Sequence, residues 1–254
     1  MADVIIPLDV PSRDQALALV ELLGDQAGFY KVGLELYTRA GPGVIGDLRA
    51  MGKRVFLDLK LHDIPNTVAR AVVAASEWEV DLLTVHTAGG AAMMEAAARA
   101  AREAAREEPA ALRILGVTLL TSFTASDVEV TWGRTILSLR DEVVRLSELA
   151  RDSGLNGVVA SALEAQAIRR HLGADFLIVT PGIRLPGGEA HDQSRVATPG
   201  EAVELGADLL VVGRAVTEAP DPRAALARVY EELAAAHGPG AAPRGAEPGG
   251  GRES

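Results

Sequence analysis

Eight short runs, nearly continuous in Val, Ile and Leu, constrain the fold of this chain more than any other feature. They are VIIPLDV (4–10), FYKVGLEL (29–36), RVFLDLK (54–60), LLTVHT (82–87), ILGVTLLT (114–121), GVVAS (157–161), FLIVTPGI (176–183) and LLVVGR (209–214). A strand with one wet face alternates apolar and polar residues. Runs without alternation are buried on both faces, as in parallel sheets covered by helices. Helical stretches with start and stop signals lie between the runs. Ser12 with Gln15, and Thr198 with Glu201, read as capping boxes, the second with Pro199 at the first helical position. Asp221 before Pro222 repeats the cap-then-proline order, and Gly24, Gly52, Gly154 and Gly173 stand where helices should stop. Over residues 139–154, Val143, Leu146 and Ala150 share one stripe.

Strands alternating with helices in this way predict an α/β fold, a closed (β/α)8 TIM barrel forming one domain over residues 1–237. The other compatible architecture is an open doubly wound sheet, which usually carries a glycine-rich turn after its first strand. Here that turn reads LDVPSRDQ, with no G-x-G-x-x-G, which favours the barrel. Residues 238–254, rich in Gly, Pro and Ala, have almost nothing to bury and are expected to form a disordered tail.

Composition narrows the partners. The 254 residues suffice for a sizeable core. A net charge of −10 with no Lys/Arg block argues against nucleic acid, while leaving room for a small anion held by one or two local cations. The absence of cysteine removes disulfide and thiolate chemistry and makes a reducing cytoplasm the simplest location. No apolar run reaches the roughly 18 residues of a membrane span. The opening MADVIIPLDV has no basic segment, so no signal peptide is expected. No metal cluster or cofactor motif stands out, so neither metal nor cofactor is expected.

In such a barrel, chemistry gathers at the C-terminal ends of the strands. By that rule Asp9 ends the first strand, Asp58 and Lys60 the third, His86 the fourth and Thr121 the fifth. Thr180–Arg184 follows the seventh strand, Gly213 and Arg214 end the eighth, and Lys31 lies early in the second run. Taken singly, an Asp or Lys at a strand end reads more often as a solvated rim residue, His86 more readily as a hydrogen-bonded structural histidine than as a ligand, and Thr121 says little. Asp58 and Lys60 differ. With His62 they fall on one face of a strand, two opposite charges aimed into the barrel mouth. A salt bridge kept only for stability explains them poorly, because desolvation can exceed the Coulomb gain. Loops after strands 7 and 8 commonly bind phosphate in these barrels. Gly213 would let the backbone approach an anion, and the Arg214 guanidinium would fork onto its oxygens. Residues 184–199, long, Gly-rich and polar, read as a lid or as a variable surface loop.

LDV (8–10), KVGLEL (31–36), DLKLHDIPNTV (58–68), VTLLTS (117–122), TPGIR (180–184), DQSR (192–195) and VVGR (211–214) follow one another in a familiar order. In that order and approximate spacing the chain resembles the orotidine 5'-phosphate decarboxylase family, over about residues 3–235. The D-x-K-x-x-D-I-P-N-T core is the most specific of these motifs. The resemblance implies a homodimeric barrel with shared active sites that converts orotidine 5'-monophosphate to UMP and CO2. It implies Lys60 as proton donor to C6, Asp58 beside the leaving carboxylate, and Asp63 with Thr67 reaching the partner subunit's site. Lys31 and Asp9 would hold the ribose and the charged network, and Thr121 would contact the pyrimidine. Arg184, Gln193, Gly213 and Arg214 would hold the phosphate, with Gln193 also bridging toward the base. His191 departs from the pattern, standing where an acid is more usual, and could alter lid behaviour. Two other functions stay open. A metal-dependent sugar-phosphate decarboxylase or epimerase of the same barrel type could use Asp58, His62 and His86 as ligands, and a catalytically silent barrel could merely bind nucleotide.

Overall fold

The computed structural model describes residues 2–105, 112–185 and 196–237. The sequence expectations for residues 238–254, for Gln193 and His191, and for most of the segment 184–199 therefore lie outside the described residues. The strands are β1 (Asp3–Pro7), β2 (Phe29–Gly33), β3 (Arg54–Leu61), β4 (Leu82–His86), β5 (Arg113–Val117), β6 (Gly157–Val159), β7 (Leu177–Thr180) and β8 (Leu209–Val211). Each pairs in parallel with the next, and β8 pairs with β1, so the predicted barrel closes. Side chains that point inward (Ile5, Phe29, Phe56, Leu82, Leu115 and Val179) form a separate apolar plug. Those that point outward, such as Ile6, Tyr30, Val55 and Leu83, pack under the helices in a second, larger core. Both faces of every strand are thus buried, which is why the runs do not alternate. Among the described residues no helix is long and apolar enough to cross a membrane.

The end signals work locally. Thr198 and Glu201 form both halves of a capping box on the helix Pro199–Glu204. Asp221 Oδ1 accepts from Ala224 N at 3.0 Å before Pro222–His237. Ser12 makes only one half of its expected box, accepting from Gln15 N at 3.3 Å. Gly173, with φ of 81°, ends the helix Ala162–Leu172 in a conformation that a Cβ disfavours.

Several runs are shorter as strands than as apolar stretches. Leu34–Leu36 belongs to the helix Leu34–Ala40, because the chain turns at Gly33 as soon as β2 has crossed the barrel. β5 stops at Val117, which puts Thr121 four residues past the strand end rather than on it. Arg214 likewise opens the short helix Arg214–Thr217 instead of ending β8, and Asp9 lies two residues beyond β1. Pairing ends when neighbouring strands diverge at the rim, and apolar content alone does not mark that point.

A polar residue just before each even-numbered strand from β4 onward secures the odd strand before it. Asp81 Oδ2 accepts from Val55 N at 2.9 Å, Asn156 Oδ1 from Ile114 N at 2.8 Å, and Asp208 Oδ2 from Ile178 N at 2.8 Å. Before β2 the corresponding residue is Gly28, and Val4 N is instead taken by Asp3 Oδ1 at 2.9 Å. These bonds hold the closed end of the barrel and leave the other end to function.

Candidate active site

A cavity of about 420 Å3 opens at the C-terminal end of the barrel above the apolar plug. Asp9, Lys31, Asp58 and Lys60 line it from the β1–β3 side. Arg184, Gly213 and Arg214 line it from the loops after β7 and β8, and Thr121 from the loop after β5. Phe56, Val117, Val159 and Val211 give it an apolar floor. One space thus offers opposed charges, an apolar floor and two guanidinium groups.

The charges form a chain. Lys60 Nζ lies 2.8 Å from both carboxylate oxygens of Asp58. Lys31 Nζ is 3.6 Å from Asp58 Oδ2 and donates to Asp9 Oδ1 at 3.0 Å. The side chains of Asp58 and Lys31 are each only 12 % exposed, so these charges are little screened. Burial pushes the Asp58 carboxyl up. Lys31 and Lys60, with hydrogen bonds from Lys60 and Thr84, outweigh that and hold it below the ordinary carboxylate range.

Lys60 does not reach Asp58 by simple alternation, as the sequence suggests. The register between β3 and β4 shifts between Leu57 and Leu61, and Lys60 adopts a φ of 50°. A bulge therefore aims the lysine. It also ends the alternation, so His62 leaves the charged group and stacks on His86, with ring centroids 5.5 Å apart. His86 Nδ1 accepts from Ala88 N at 3.3 Å. Burial, then His62 and Lys60, lower the His86 pKa and favour the neutral ring. Asp58, His62 and His86 are thus not arranged as common ligands. Among the described residues no three His, Asp or Glu side chains gather as a metal site requires.

Arg184 is buried and donates to the carbonyl of Ile183 at 2.9 Å. Asp63 and Thr67 are exposed, beside the start of the helix Pro65–Ser76, and neither lines the cavity of its own chain. Asp63 Oδ1 accepts from Ile64 N at 2.6 Å.

The model of the orotidine 5'-phosphate decarboxylase / HUMPS family matches residues 2–229. The chain belongs to that family. It is 51% identical over 231 residues to an orotidine 5'-phosphate decarboxylase of Chromohalobacter salexigens, covering 91% of this chain and 95% of the relative. It is 47% identical over 232 residues to one of Moorella thermoacetica, covering 91% of each. The crystal structure of the decarboxylase from Lactobacillus acidophilus superposes with a TM-score of 0.81 at 37% identity, covering 92% of this chain and 99% of the other.

Two residues to which the sequence reading gives no role matter to the geometry: Gly33, inside the KVGLEL motif, and Thr84, inside the fourth apolar run. Gly33 has no side chain, and a Cβ there would stand 2.9 Å from Lys31 Nζ and 3.1 Å from Asp9 Oδ1. Thr84, fully buried on β4, donates to Asp58 Oδ1 at 3.0 Å and accepts from Lys60 N at 2.8 Å. Its only signal in the sequence is that Leu82, Thr84 and His86 share the inward face of β4.

Proposed function

We propose that the protein decarboxylates orotidine 5'-monophosphate to UMP and CO2, the last step of de novo UMP synthesis. The carrying observation is the Lys60 ammonium held 2.8 Å from both Asp58 oxygens in a cavity that two arginines also line. Loss of CO2 from C6 leaves a carbanion with no π system to spread it, so fixed charge must stabilise it. Lys60 supplies a positive charge where negative charge develops, and then gives C6 its proton. Asp58 orients the lysine and lies beside the leaving carboxylate. At 4 Å and an effective dielectric of about 20, one such charge pair contributes about 4 kcal/mol, about a thousandfold in rate.

Arg184, Gln193, Gly213 and Arg214 hold the phosphate in this reading, Thr121 and Gln193 meet the base, and Lys31 with Asp9 hold the ribose. Phosphate binding remote from C6 then helps drive closure. The roles of Asp63 and Thr67 require a homodimer in which each serves the partner's site. Their exposure outside their own chain's cavity supports that reading. A chain without cysteine fits a cytoplasmic location. The chemistry as drawn calls for no cofactor. The test is loss of orotidine monophosphate absorbance with purified protein, before and after treatment with EDTA. Turnover unaffected by chelation is expected. Turnover of a sugar phosphate only, restored by added metal, would move the protein to the metal-dependent barrels.

A further inference from the structure

We propose that Thr84 is a positioning residue for this decarboxylation, holding the backbone of Lys60 and the carboxylate of Asp58 in one arrangement through a single hydroxyl. The inference rests on the proposed function above. At the bulge, β3 shifts register against β4, and Lys60 N finds no ladder partner in regular pairing. It donates to Thr84 Oγ1 at 2.8 Å instead. A hydroxyl carries one proton. Because its oxygen accepts from Lys60 N, that proton is free for Asp58 Oδ1, 3.0 Å away. The direction of both bonds is therefore set. Thr84 is 0 % exposed, so no water competes for either bond.

Two consequences follow for the chemistry. Lys60 sits at a φ of 50°, which a lysine avoids unless its surroundings hold it there, and the bond to Thr84 is one such hold. Asp58 Oδ1 is pinned by Thr84, which leaves Oδ2 facing Lys31 at 3.6 Å and both oxygens 2.8 Å from Lys60. The carboxylate plane, and with it the place of the Lys60 ammonium, is set from the buried side. Thr84 itself does not line the cavity, so it acts through Asp58 and Lys60 and touches no substrate.

The experiment compares Thr84→Val, which keeps the shape and loses both bonds, with Thr84→Ser, which keeps the hydroxyl. In Thr84→Val, kcat should fall by about ten- to a hundredfold with KM changed less than about threefold, since substrate-binding groups are untouched. Thr84→Ser should recover kcat to within about threefold. The acid limb of the kcat profile should move to higher pH in Thr84→Val. A carboxylate that loses a hydrogen bond takes up a proton more readily, so Asp58 discharges at a higher pH. If the valine variant does not fold, Thr84→Ala carries the same expectations. Two NMR measurements stand apart from turnover: exchange of the Lys60 amide and titration of the Asp58 carboxyl carbon. Both should change in Thr84→Val and stay near wild type in Thr84→Ser. If the wild type does not decarboxylate orotidine monophosphate, the functional reading fails, and these two measurements still judge the positioning. Thr84→Val turnover within twofold of wild type, an equal loss in Thr84→Ser, or an unchanged Lys60 amide would overturn it.

Discussion

Lys60 occupies backbone space that L-residues avoid, and it does so at the point of proposed chemistry. Its φ of 50° costs about 1 kcal/mol or more relative to glycine. Lys60→Ala and Lys60→Gly should both lose turnover by at least about a thousandfold, while UMP binding measured by calorimetry stays within about tenfold. The glycine variant should be more stable than the alanine variant by about 1 kcal/mol in urea titrations. Equal stabilities would mean that the bulge relaxes freely. Gly33 makes a different demand. Its φ of −95° and ψ of −178° suit any residue, so the requirement is space for Lys31 and Asp9. Gly33→Ala should leave the thermal midpoint within about a degree, because both contacts are ends of flexible side chains. It should lower kcat/KM by on the order of tenfold as the ammonium is displaced. Unaltered kinetics would show that Lys31 can shift without consequence.

At the scale of elements, the bonds at the base of the barrel separate stability from activity. Asn156 bridges to Ile114 N, the second residue of β5, far from the cavity. Asn156→Ala should cost about 1 kcal/mol in denaturant unfolding with unchanged kcat, and Asn156→Asp should cost much less because an acceptor oxygen remains. A larger kinetic than thermodynamic effect would mean that strand register at the base reaches the mouth. Asp81 and Asp208 carry the same bond plus ion pairs, Asp81 with Arg54 at 3.0 Å and Asp208 with Arg169. Asn156 therefore isolates the hydrogen bond best.

For the molecule as a whole, the decisive question is whether one barrel completes its own site. Asp63 is exposed and faces none of its own cavity, while Lys60, three residues earlier, does. In the proposed homodimer, Lys60→Ala and Asp63→Ala should each be severely impaired. Refolded together in equal amounts, about half of the dimers should be hybrids, each with one intact and one doubly damaged site, so about a quarter of all sites should recover. Activity of the mixture, with each variant refolded alone as control, gives the answer. No recovery, although native mass spectrometry finds hybrids, would mean that Asp63 serves its own chain. Deleting residues 240–254 should alter neither thermal midpoint nor turnover, since the segment has no apolar pattern to dock. A midpoint lowered by several degrees would show that it packs.

Local chemistry is what the sequence determined alone. Continuous apolar runs required doubly buried strands, helix caps such as Thr198 with Glu201 marked their own ends, and the spaced charges of residues 58–63 marked the site. Most of the predicted phosphate and charge-network residues do meet in one cavity. Tertiary structure alone decided how they meet. The bulge that aims Lys60 is a shift of register between β3 and β4, which only their pairing defines. Thr84 gains its role only because that shift leaves Lys60 N facing its hydroxyl. Lys31 reaches both Asp9 and Asp58 because β2 pairs with β1 on one side and β3 on the other, in a register that brings their ends to one rim. Such contacts depend on register and curvature, which are set by the whole ring of strands and leave no local trace in the order of residues.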